Sequence, residues 1–66
     1  MSNLKRIRED KNITQAKLSE LSGVNLRTLQ YYEQGYKDIN KAQASTLYRV
    51  ANALDCKIED LLQKED

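Results

Sequence analysis

The run TQAKLSELSGVNLRTLQYYEQG, from Thr14 to Gly35, divides into two short helices at Ser22-Gly23-Val24. Thr14 is a residue type that caps a helix start, and Gly23 supplies the left-handed turn that closes this first helix. Asn25 caps a second helix after only Gly23-Val24, and Gly35 closes that one. Leu18 and Leu21 are expected on one face of the first helix, with Leu29 and Tyr32 as the inward pair of the second. Leu18, Val24, Leu29 and Tyr32 then fall between the two helices. Ser19, four positions before Gly23, is small enough to let them approach.

Two helices joined by a turn of three or four residues containing glycine form the helix-turn-helix pattern, whose second helix enters a DNA major groove. Three physical facts give the pattern its chemistry. The N-terminus of the first helix offers unpaired N–H groups to a phosphate. The second helix turns a polar face away from its own core. A groove about 12 Å wide admits such a helix.

Outward from this stretch the chain continues to read as helix. Asn3 to about Lys11 forms the first, with Ser2 or Asn3 as cap, Leu4 and Ile7 one turn apart, and Asn12-Ile13 as connector. Tyr36 to Ile39 is the longest connector. Asn40 with Gln43 three residues later predicts a capping box opening a fourth helix. Leu47, Val50, Ala51 and Leu54 recur at the helical period there. Tyr48 is expected at the rim of the core. Asp55-Cys56-Lys57 breaks that helix, with Cys56 a small buried residue between two helices. Ile58, Leu61 and Leu62 face inward from a last helix, and Gln63 to Asp66 are expected to fray. No segment alternates with period two. The expected fold is all-α, five helices in one domain over residues 1–66. Its helix-turn-helix spans about 14–35 and its C-terminal helices about 41–54 and 58–63.

Composition narrows the function. The 66 residues are 39% hydrophobic and 32% charged, too apolar for a disordered tail and too charged for a membrane span. Met1 to Asp10 lacks the apolar core of a secretory signal. One Cys and no His remove the ligand sets for zinc and the usual nucleophilic machinery, so no enzyme, metal site or cofactor is expected. A lone Cys56 fits a reducing compartment, and the expected location is cytoplasmic. The net charge of +1 says little, but its distribution says more. Residues 1–41 carry eight bases against five acids, and residues 42–66 carry three against five. A basic front and an acidic back suit a chain with one anion-facing side, although solvated helix faces would look the same.

The Thr14–Gly35 run resembles the helix-turn-helix of Cro and the phage lambda repressor, also called the xenobiotic-response-element family. The likeness extends over nearly the whole chain. LKRIREDKNITQ resembles that family's first helix and entry into the second. YRVANALDCKIEDLL resembles its last two helices, with Leu61-Leu62 as the habitual apolar pair. The chain departs from the pattern at Ser19, usually Ala, at Asp55, usually Gly, and at Lys57, usually a cap such as Ser.

The resemblance implies roles for particular residues. Gln15 matches a glutamine that braces a phosphate and sometimes a base-reading neighbour, with Thr14, Asn25 and the free amides beside them on the backbone. Base-reading positions fall on Leu26, Arg27 and Tyr31, with Gln30 adjacent. Gln34, Lys37 and Lys41 occupy the region that clamps the far backbone. Arg8 and Glu33 match a partly buried ion pair. Arg27 suits bidentate recognition of guanine and Gln30 suits adenine, although either is also an ordinary surface residue. Tyr31 would meet a thymine methyl or a sugar. Leu26, at a slot that is often polar, reads as a methyl contact or as a contact to protein. The expected function is sequence-specific binding of double-stranded DNA by a regulator, a repressor before an activator, on a palindromic operator as a weak dimer. At 66 residues there is no room for a sensor domain. The alternative is an antitoxin or protein-interaction module, with a toxin or other regulator as partner and Leu26 and Tyr31 as its anchors.

Overall fold

The computed structural model describes residues 2–64, and within them five α-helices and one 3-10 turn follow each other without a strand. Helix α1 is Asn3–Asp10, α2 is Gln15–Ser22 and α3 is Leu26–Gln34; the 3-10 turn is Ile39–Lys41, α4 is Ala44–Leu54 and α5 is Ile58–Leu61. Each of the first three starts on a side chain that satisfies an orphan amide. The Ser2 hydroxyl accepts from the Lys5 N–H at 3.2 Å, which decides between the two candidate caps. Thr14 Oγ1 accepts from Lys17 N–H at 3.0 Å, and Asn25 Oδ1 from Arg27 N–H at 2.8 Å.

Four helices end on a left-handed residue: Asn12, Gly23, Gly35 and Asp55. At Asn12, Gly35 and Asp55 the ending is a pair of hydrogen bonds donated by the left-handed residue and the one after it to the helix's last carbonyls. The Tyr36 N–H donates to Tyr31 O at 2.9 Å, and the Cys56 N–H donates to Ala51 O at 3.0 Å.

The core is one cluster. Leu4 and Ile7 come from α1, Leu18 from α2, Val24 from the turn, Leu29 from α3, Ile39 from the 3-10 turn, and Leu61 from α5. Helix α4 supplies Leu47, Val50, Ala51 and Leu54, and packs against α2 and α5. Burying one such leucine completely contributes about 1.5–3 kcal/mol. Tyr32, Cys56, Ile58 and Leu62 are half-buried against the same cluster.

Several expectations are corrected. Leu21 is 51% exposed, and Ser22 takes the buried place beside it, because the inward line of α2 runs from Leu18 to the i+4 position and not to i+3. Tyr48 is 62% exposed and stands on the outer side of α4. Asn40 and Gln43 form no capping box. Asp38 caps the 3-10 turn through the Asn40 N–H at 2.9 Å, and α4 opens three residues beyond the expected start with no side-chain cap. The last helix stops at Leu61, because Leu62 is already extended. Lys57 cannot accept a hydrogen bond, but the Asp60 carboxylate reaches back to its N–H at 3.0 Å and starts α5 that way. Gln63 does not fray: it is hydrogen-bonded to Asn3 and Asn40. The fraying expected of Glu65 and Asp66 lies outside the described residues.

Candidate nucleic-acid interface

Helix α3 has two sides. At 100° per residue, Leu26, Arg27, Gln30, Tyr31 and Gln34 fall within an arc of about 140°, and Leu29 and Tyr32 fall opposite. The burial pattern follows that geometry: Leu29 is buried, Arg27 and Gln34 are exposed, and Leu26 is 37% exposed. Gln30 and Tyr31 are half-buried. The Tyr31 ring meets the Tyr36 ring edge-on at 5.8 Å, and Lys37 Nζ stands 5.9 Å from the Tyr31 centroid. Tyr31 thus joins the outward arc to the basic connector that follows it.

The angle of this helix is set from behind by a carboxylate. Glu33 Oε2 accepts from Arg8 Nε at 2.7 Å, and Glu33 Oε1 accepts from Arg8 Nη2 and Gln15 Nε2, each at 3.0 Å. Arg8 Nη1 also donates to the Ile13 carbonyl at 2.7 Å. The side chains of Arg8 and Glu33 are 11% and 3% exposed, so the pair is nearly dry. The Glu33 hydrogen bond holds the Arg8 pKa above its ordinary value against the opposing pull of burial. The guanidinium therefore keeps its charge at any pH the fold survives. One arginine binds α1, the connector after it and α3 together, and Gln15 adds the first turn of α2.

The turn between α2 and α3 is secured by two serines. Ser19 Oγ donates to the Val24 carbonyl at 2.6 Å, and Ser22 Oγ accepts from the Val24 N–H at 3.1 Å. Both backbone groups of Val24 are satisfied while its side chain enters the core. Ser19 is thus a working departure from alanine, and the sequence reading missed both hydroxyls. Serines one turn apart at a helix end, followed by Gly-Val, were the signal available.

The other candidate residues surround α3. Thr14 and Gln15 sit at the start of α2, although the Gln15 amide is already engaged with Glu33. Lys37 and Lys41 are exposed on the connector between α3 and α4. With Thr28 and Thr46 they line an open groove of about 450 Å³, which runs to the uncapped first turn of α4. Gln15 thus meets α3 at Glu33, near the helix's C-terminal end, and the two lysines follow that same end.

A model of the helix-turn-helix family matches residues 4–61 of the chain. The chain belongs to the helix-turn-helix family. This is a family of DNA-binding regulators, and the match takes in all five helices of the fold. The likeness to Cro and the lambda repressor therefore holds beyond the two-helix motif. No curated protein matches the chain significantly. Among the described residues no helix is long and apolar enough to cross a membrane. Nor does any cluster of Cys, Asp and Glu there have the arrangement of a metal site. For a helix-turn-helix protein the outward arc of α3 is the surface of interest, and Glu33 ties that helix to α1 and α2.

Proposed function

We propose that this chain is a sequence-specific regulator that binds double-stranded DNA in the cytoplasm, acting as a repressor on a palindromic operator. The observation that carries this reading is the outward arc of α3, rigidly held from behind by Arg8 and Glu33 and flanked by basic and amide groups. Arg27 reads guanine, Gln30 reads adenine, and Leu26 and Tyr31 meet thymine methyls or sugars. Thr14, Gln15, Asn25, Gln34, Lys37 and Lys41 hold phosphates and set the register of the helix in the groove.

One such helix touches three or four bases, so two copies bind half-sites about 34–36 Å apart. Their contact falls at the end of α4 and at Ile58–Leu62, away from the groove helix. Leu61 is committed to the protein's own core, which leaves the half-buried Ile58 and Leu62. The exposed Asp55, Glu59 and Asp60 nearby make this dimer weak and DNA-assisted.

Selection from random duplexes tests the reading. The expected result is an enriched palindrome. Arg27→Ala should relax preference at one position per half-site and cost about 1–3 kcal/mol. Lys37→Ala or Lys41→Ala should weaken all sequences alike and reduce the salt slope by about one. A wild-type selection that enriches no motif overturns the proposal. The exposed Leu26 beside Tyr31 favours a second reading, in which the same face binds a partner protein, as in an antitoxin. Binding that is insensitive to salt would select that reading.

A further inference from the structure

The last described residues are joined to the turn before α4 by hydrogen bonds that the DNA reading leaves unused. The Asn40 side chain pairs with both backbone groups of Gln63. Its Nδ2 donates to the Gln63 carbonyl at 2.8 Å, and its Oδ1 accepts from the Gln63 N–H at 2.8 Å. A two-point amide pair of this kind fixes separation and orientation together. Asn3 holds the other side of the same segment: its Nδ2 donates to the Leu62 carbonyl at 2.8 Å, and its N–H donates to Gln63 Oε1 at 2.9 Å. These bonds reach across sequence separations of 23 and about 60 positions, so only the folded chain brings them together.

What they hold is a three-residue 3-10 turn, an element with poor hydrogen-bond geometry of its own. Ile39 anchors the turn in the core, the Asp38 carboxylate accepts from Asn40 N–H, and Asn40 fastens it sideways to Gln63. The turn's next residue is the exposed Lys41. Without Asn40's bonds the turn would lose its tie to Gln63 and rest more on Ile39, Ala42 and the Asp38 cap. With them the base of Lys41 is set before any ligand arrives, which lowers the ordering cost of binding.

We propose that Asn40 and Gln63 are positioning residues for the DNA backbone contact. They touch no DNA, but they hold Lys41 where a phosphate meets it, so the C-terminal segment tunes affinity from behind the interface. This inference rests on the reading above that Lys41 contacts a phosphate.

A double-mutant cycle tests it, reading the Kd for the selected duplex over a range of salt, with helicity checked by circular dichroism. Asn40→Ala should weaken binding by about 3- to 10-fold, the scale of ordering one long side chain. It should also shallow the salt slope toward that of Lys41→Ala. In the Lys41→Ala background the same change should alter Kd less than about twofold, because the residue it acts through is gone. Gln63→Pro removes the N–H that Asn40 accepts, together with the Oε1 that accepts from Asn3, and adds no charge near the interface; it carries the same expectation for Kd in both backgrounds if Asn40→Ala fails to fold. An equal loss in both backgrounds would show a general structural role and overturn the proposal. Lys41→Ala with unchanged affinity and slope, while Arg27→Ala still weakens binding, overturns this inference and leaves the DNA reading standing. If neither change has an effect, the assignment of α3 and its flank as the DNA-facing surface fails with this inference, while a wild-type selection that enriches no motif is what overturns the DNA reading itself.

Discussion

Helix α3 is fastened to α1 and α2 by a carboxylate as well as by Leu29, whereas α4 is fastened to α2 and α5 by aliphatic side chains alone among its buried residues. Glu33 takes three hydrogen bonds from Arg8 and Gln15, and each constrains an angle as well as a distance. Leu47, Val50, Ala51 and Leu54 make contacts that have no preferred direction. The apolar core keeps the domain folded and takes in α3 through Leu29 and Tyr32, so the carboxylate adds direction to a helix that is already packed. A helix that must meet a groove at one angle gains more from directional bonds. Buried ion pairs are weak sources of net stability. The pair behind α3 is therefore better understood as an orienting device than as the main source of stability.

The sharpest way to break this contrast is Glu33→Gln. It leaves the Arg8 guanidinium buried without a counter-charge, and breaking such a pair costs about 3–5 kcal/mol. The small water access to Arg8 places the expected loss near the lower end, about 3 kcal/mol. A domain of this size has only about 3–10 kcal/mol of stability, and its melting temperature should fall by about 10 °C or more. Thermal unfolding followed by circular dichroism measures it. An unchanged melting temperature would show that the carboxylate's charge does not hold α3.

A smaller effect, of opposite sign, sits at the two helix ends. Helices α3 and α4 close with the same pair of backbone bonds, one on Gly35 and the other on Asp55. Asp55 adopts φ 54 with a side chain, a conformation that glycine takes without steric cost. Asp55→Gly should therefore raise stability by up to about 1 kcal/mol, less the backbone freedom glycine gains in the unfolded chain. Denaturant midpoints at constant m-value would show it. A decrease would mean that the Asp55 side chain stabilises the turn by more than its strain costs.

The smallest effect concerns Cys56, half-buried beside that turn. Burial, then Asp60, raises the thiol's pKa above the ordinary value of 9.0, with Lys11 opposing. The unfolded chain thus loses this proton at lower pH than the folded one, and stability falls as pH rises through 9.0. Cys56→Ala should flatten part of the decline between about pH 8 and pH 10 in parallel denaturant titrations. An identical slope in both proteins would remove Cys56 as its source.

Helix order, the caps at Thr14 and Asn25, and the left-handed endings at Gly23 and Gly35 were legible because each depends on residues within one turn. The same locality explains the errors. Asn40 and Gln43 have the spacing of a capping box, yet Asn40 is claimed by Gln63, 23 positions on. Leu21 looks inward by residue type, but the inward line of α2 continues through Ser22, whose hydroxyl satisfies the Val24 amide. The Arg8–Glu33 contact came from the resemblance alone, since no local rule relates residues 25 positions apart.

By itself, then, the sequence determined the order of the helices, the bounds of the first three and the apolar stripe of α4, because capping, glycine conformation and helical period act over a few residues. Tertiary structure alone decided that Gln15 would brace Glu33 and that Asn3 and Asn40 would hold Gln63. Each is a polar bond between groups brought together only by packing. A buried polar group takes whichever good partner the folded chain places within reach, and its spacing in the sequence does not name that partner.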